Sequence, residues 1–123
     1  CWDYENKIKA AGGLDIVVLG IGENGHIAYN EPGTDPELLT HLAELSPETI
    51  AVNQLKIQQG LTMGIKTILS AKKILVLAKG VNKAQAVKAG LTPPPRLSCP
   101  ASWLQQHNDV IWFLDEAAGK LTG

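Results

Sequence analysis

Three short apolar runs punctuate the chain, at residues 14–19 (Leu-Asp-Ile-Val-Val-Leu), 73–78 (Lys-Ile-Leu-Val-Leu-Ala) and 110–114 (Val-Ile-Trp-Phe-Leu). Their length, β-branching and flanking turn residues predict strands, the first buried on both faces. Between them the spacing turns helical. Trp2, Tyr4, Ile8 and Ala11 recur at a loose helical period that stops at Gly12-Gly13, predicting a helix over residues 2–11. Ser46-Pro47 reads as an N-cap with proline in the first turn of a helix reaching to about Gly60. Residues 61–64 read as a short extended piece and 65–71 as a short helix. Beyond the second strand, Asn82 reads as the cap of a helix over residues 83–89. Pro93-Pro94-Pro95 and Pro100 make a loop of residues 91–100, and 101–106 suit one or two helical turns. Asp115-Glu116 opens a last turn, where acidic groups favour a helix N-terminus.

Buried strands alternating with helices predict an α/β fold: Rossmann-like and doubly wound, a mostly parallel sheet with helices on both faces. A sheet of only three strands has exposed edges, and the chain opens inside a helical pattern with no cap before it. Both features predict an incomplete domain, with residues 1–123 forming the C-terminal portion of a single longer one.

Composition narrows the partners. A net charge of −1 with dispersed signs, and Arg96 as the lone arginine, exclude a nucleic-acid or membrane surface. No apolar run approaches the length of a membrane span. Cys1 and Cys99 have neither metal-ligand spacing nor a disulfide framework, which predicts free thiols and a cytoplasmic location. Trp2, Trp103 and Trp112 read as core or interface packing, and Arg96 beside the prolines as loop stiffening.

The chemistry gathers in one loop. Gly20-Ile21-Gly22-Glu23-Asn24-Gly25-His26-Ile27-Ala28-Tyr29-Asn30-Glu31-Pro32-Gly33 follows directly on the first strand. Ligands bind beyond the carboxyl ends of strands in such sheets. Gly20 to Gly25 fits GxGxxG, but a dinucleotide site needs a helix starting inside the string, and turn residues follow instead. His26 and Glu31 lie close enough to meet on one ligand, and a carboxylate beside an imidazole orients it and favours its protonated form. Asn24 is a second orienting group. His41 and His107 are not spaced to complete a metal site with His26, so no metal is expected. Lys83, past the second strand at the first turn of a helix, suits an anionic group such as phosphate.

The loop from Gly20 to Gly33 resembles the signature of the glucosamine-6-phosphate deaminase/isomerase family. The likeness extends over residues 1–19 before it, over 73–84 with Lys83, and over 98–117, where Leu104-Gln105-Gln106-His107 and Leu114-Asp115-Glu116 fit the family's closing segment. The related 6-phosphogluconolactonases typically continue their glycine–histidine loop into Thr-Ala-Ser-Leu-Phe-Pro, where this chain has Ile27-Ala28-Tyr29-Asn30-Glu31-Pro32. The resemblance implies a cofactor-free amino-sugar-phosphate deaminase/isomerase, commonly a homo-oligomer, acting on glucosamine or galactosamine 6-phosphate. In it His26 opens the pyranose ring, Glu31 and Asn24 complete its relay, and Gly20 and Lys83 hold the substrate. Two departures stand against this. The family's phosphate-binding arginine falls near Leu55, with Lys56 the nearest cation. The family's N-terminal half, with a glycine/serine-rich phosphate loop and a proton-shuttling aspartate, has no counterpart here, so the chain alone is expected to be inactive. A sugar-lactone hydrolase of the same fold and a non-catalytic sugar-phosphate-binding module are the alternatives.

Overall fold

The computed structural model describes residues 1–122. Three parallel strands, β1 (Ile16–Gly20), β4 (Lys73–Ala78) and β5 (Val110–Leu114), form one sheet in the order β1-β4-β5. Leu19 faces Val76 across one pair of strands, and Val76 faces Trp112 across the other. The remaining elements are α1 (Trp2–Ala10), a hairpin of β2 (His41–Glu44) and β3 (Gln59–Thr62) around α2 (Pro47–Val52), α3 (Ile65–Leu69), α4 (Ala84–Leu91) and α5 (Glu116–Gly119). Two 3₁₀ segments, Val81–Lys83 and Pro100–Gln106, complete them.

The β-branched runs form the strands they predict, but only one face of the sheet is packed. Val17, Leu19, Ile74, Val76 and Ala78 are buried against Ile65 and Ile68 of α3, Val87 of α4, Leu104 and Ala118. Fully burying a side chain of this size contributes about 1.5–3 kcal/mol. On the other face Ile16, Val18, Leu77, Ile111 and Phe113 are exposed. The first strand is therefore buried on one face, not two, and in this chain the helices cover one face of the sheet.

Other expectations are corrected locally. Ser46 does cap α2, its Oγ accepting the Thr49 N–H at 3.1 Å. The helix stops at Val52 rather than near Gly60, because Gln54 takes a left-handed backbone (φ 53°) and the chain turns into β3. Asn82 caps nothing: it lies within the 3₁₀ turn, and its amide donates to Glu23 at 2.6 Å. Residues 101–106 wind as 3₁₀ rather than α. Trp2 is exposed, whereas Trp103 and Trp112 pack against the core. Arg96 donates to the carbonyls of Ala89, Thr92 and Pro94, tying the proline loop to the end of α4. Cys1 is exposed and Cys99 buried, both unpaired.

Candidate active site

The carboxyl end of β1 opens into a cleft of about 450 Å³. Its floor is the loop from Gly20, one wall is Lys83, and the other is α2 with Glu48, Thr49 and Val52. The loop folds back tightly: the Gly22 N–H donates to the His26 carbonyl at 2.9 Å, and the Gly25 N–H to the Gly22 carbonyl at 3.0 Å. Gly25 closes the turn at φ 88°, a conformation disfavoured for residues with a Cβ. At Gly22 the constraint is space. A Cβ there would lie 2.1 Å from Cε1 of His26, so the imidazole rests on bare backbone.

Hydrogen bonding fixes the state of that imidazole. Asn24 Oδ1 is 3.1 Å from the His26 backbone N–H, which can only donate, so this Asn24 atom is the oxygen. The same oxygen is 2.7 Å from His26 Nδ1, so Nδ1 carries the proton and donates it. The Asn24 amide N–H in turn donates to Glu31 Oε2 at 3.0 Å. Nε2 is then the unprotonated nitrogen, the one able to take a proton. Glu31 Oε2 lies 3.6 Å from Nδ1, so its charge is felt across the amide link.

The carboxylate does not hold His26 protonated, as its spacing alone predicts. Burial pushes the imidazole below its ordinary value, the Glu31 charge opposes this, and the Lys83 charge adds to the lowering. For Glu31, burial raises the carboxyl, but hydrogen bonds from Thr49 and Asn24 and the charge of His26 outweigh it, leaving a lowered value. His26 is thus a neutral base at neutral pH and Glu31 an anion.

Lys83 reaches the cleft from the junction of the 3₁₀ turn and α4, as the N-cap of that helix rather than its first residue. It ends the 3₁₀ turn, and its Nζ donates to the Ile21 carbonyl at 2.7 Å. An ammonium has three donors, so two remain for an anion. Gly20 also lines the cleft. Lys56 is exposed between α2 and β3 and does not line it.

Two members of the site escape a reading of the sequence. Thr49 is buried, its hydroxyl donating to Glu31 Oε1 and lying 3.3 Å from His26 Nδ1. Its only sequence signal, third after a serine cap, speaks of helix initiation. Asn30 is fully buried, and its amide donates to the carbonyls of Ile27 and Met63, fastening the loop to the end of β3. Among the described residues no group of three or more His, Cys, Asp or Glu converges as a metal site, and no helix is long and apolar enough to cross a membrane.

Comparison with known proteins identifies the family. The family of glucosamine-6-phosphate isomerases/6-phosphogluconolactonase matches residues 1–112. The glucosamine-6-phosphate deaminase of Clostridium acetobutylicum is 46% identical, over 98% of this chain and 53% of its own. That of Shewanella halifaxensis is 47% identical, over 99% of this chain and 49% of its own. The solved structure of a monomeric glucosamine-6-phosphate deaminase superposes with a TM-score of 0.94 at 41% identity, covering 98% of this chain and 53% of that one. A 6-phosphogluconolactonase from Leishmania guyanensis gives 0.67 at 30% identity, covering 86% and 40%. The chain spans about half the length of the curated relatives it matches. It belongs to the glucosamine-6-phosphate isomerase/6-phosphogluconolactonase family.

Proposed function

We propose that this chain supplies the ring-opening half of an amino-sugar-phosphate deaminase/isomerase site. The observation that carries it is the relay Glu31–Asn24–His26, which leaves Nε2 as the free base over the cleft. In this reading Nε2 takes the proton from the anomeric hydroxyl of glucosamine or galactosamine 6-phosphate and returns it to the ring oxygen. The pyranose C1–O5 bond breaks and the open aldehyde forms. The passing imidazolium is stabilised by Glu31. Isomerisation between C1 and C2 and loss of ammonia then follow, using groups beyond these residues. Several of the relatives are themselves glucosamine-6-phosphate deaminases.

Assaying the full-length polypeptide for ammonia from both amino-sugar phosphates, beside hydrolysis of a sugar lactone, tests the reading. Lactone hydrolysis without ammonia release would overturn it, and binding without any turnover would select a sugar-phosphate-binding module. The 123-residue chain by itself should release no ammonia from either sugar.

The protonation pattern gives a pH prediction. Turnover needs neutral His26, so kcat/KM should fall as pH drops through a midpoint below the ordinary imidazole value of 6.5. A midpoint above that value would contradict the neutral-base assignment.

Lys83→Met tests the anion site. Losing a charge-assisted bond to phosphate should raise KM roughly 10- to 100-fold. Removing the nearby cation should also move the acid limb to higher pH, because that charge lowers His26. An unchanged KM would place the phosphate elsewhere.

A further inference from the structure

We propose that Thr49 is a positioning residue whose hydroxyl, aimed by Ser46, occupies Glu31 and thereby keeps His26 a neutral base. The inference rests on the reading of His26 as the working base. Ser46 Oγ donates to Thr49 Oγ1 at 3.0 Å while accepting the Thr49 backbone N–H. The Thr49 proton goes to Glu31 Oε1 in a short contact. No other direction is permitted, because the anion has no proton to give and two lone pairs at that range would repel. The remaining Thr49 lone pair faces Nδ1–H of His26 at 3.3 Å, the proton that Asn24 also receives. Every proton in the chain from Ser46 onward therefore points at Glu31, and none points at Nδ1.

Energetically, Thr49 and Asn24 between them occupy both oxygens of Glu31. A carboxylate whose charge is spread over two donors attracts an imidazolium less than a bare one at the same distance. Four charged groups surround the His26 side of the cleft, Glu31 and Glu23 from its own loop, Lys83 from the turn after β4 and Glu48 from α2, and of these the charges of Glu31 and Lys83 act on the ring. Of the four, Glu31 alone is within ion-pair distance among the described residues. Thr49 joins the wall formed by α2 to the relay through its hydroxyl, beside the Ser46 backbone N–H that also bonds to Glu31.

The test is the titration of His26, followed by NMR of its ring protons in the full-length polypeptide, with kcat measured alongside. Thr49→Val removes the hydroxyl while keeping the branched shape. Its His26 midpoint should move up by roughly half a pH unit or more as Glu31 turns its freed charge on the ring. Its kcat should fall about tenfold, the effect of one lost hydrogen bond. Thr49→Ser should restore both. A folded valine variant with an unmoved midpoint overturns the proposal, as does a serine variant that restores neither quantity. Should the valine protein not fold, Thr49→Cys keeps the size with a much weaker donor, and its midpoint must rise likewise or the proposal fails. A wild type that releases no ammonia would remove the deaminase reading while leaving the NMR comparison decisive for Thr49.

Discussion

Replacing His26 with alanine should lower ammonia release by about 10²–10⁴-fold, the range for loss of a positioned general base. The fold should survive. The loop is closed by backbone bonds of His26, its N–H to Asn24 Oδ1 and its carbonyl to the Gly22 N–H, and neither involves the ring. The loss should therefore appear in kcat with little change in the thermal midpoint. The acid limb of the pH profile should vanish with the group that produces it. Turnover left intact in the alanine variant would remove the ring-opening role from His26 altogether.

The second large effect is expected where there is no side chain. In Gly22→Ala the new methyl would lie 2.1 Å from Cε1, 2.2 Å from Nδ1 and 2.6 Å from Nε2 of His26. Such contacts cannot be absorbed in place, and Asn24 holds the ring by the edge nearest its backbone. The imidazole must swing off Asn24 or the loop must lift. Either displaces Nε2 by about an ångström, enough to cost about 10²-fold in rate. Gly20→Ala is the control. No atom lies within 4 Å of a Cβ there, so the protein should tolerate it, and any rise in KM would report contact with substrate. Measuring kcat and KM for the pair separates a glycine required by the histidine from one required by the ligand. Equal behaviour of the two variants would show that the packing on Gly22 is not what holds the base.

How much of this was legible in the chain depends on the range of the forces involved. The strands at Lys73–Ala78 and Val110–Leu114 declare themselves, because a β-branched run between turn residues has few other ways to bury itself. The hairpin does not. His41–Glu44 is four residues with one buried position, and it becomes a strand only because Gln59–Thr62 comes to pair with it. Of its partner segment, Leu61-Thr62 falls in the extended piece that the sequence suggests, while Gln59-Gly60 reads as the tail of a helix for want of any local stop stronger than the turn at Gln54. Asn82 fails for a related reason. An amide two residues after a glycine caps helices and also bonds across loops, and the choice is made by Glu23, far away in sequence. In the site, His26, Asn24 and Glu31 stand in one motif and could be read together. Thr49, reached across the fold, could not. The charge state of His26 lies outside such a reading, because spacing reveals a neighbouring carboxylate but not the burial that outweighs it.

The bonds that brace the cleft and the proton that His26 gains in acid belong to different atoms. Lys83 braces the loop through a backbone carbonyl, Ile21 O, which does not titrate. Asp115, at the end of β5, accepts the Ala118 and Gly80 N–H groups, and those same bonds hold its carboxyl below the ordinary value. The pocket should accordingly keep its contour across the interval in which His26 gains or loses its proton. For an engineer this separates the brace at Ile21 from the acidity of the site, whereas Thr49, which lines the cleft and also bonds to Glu31, couples the working pH to the shape of the wall.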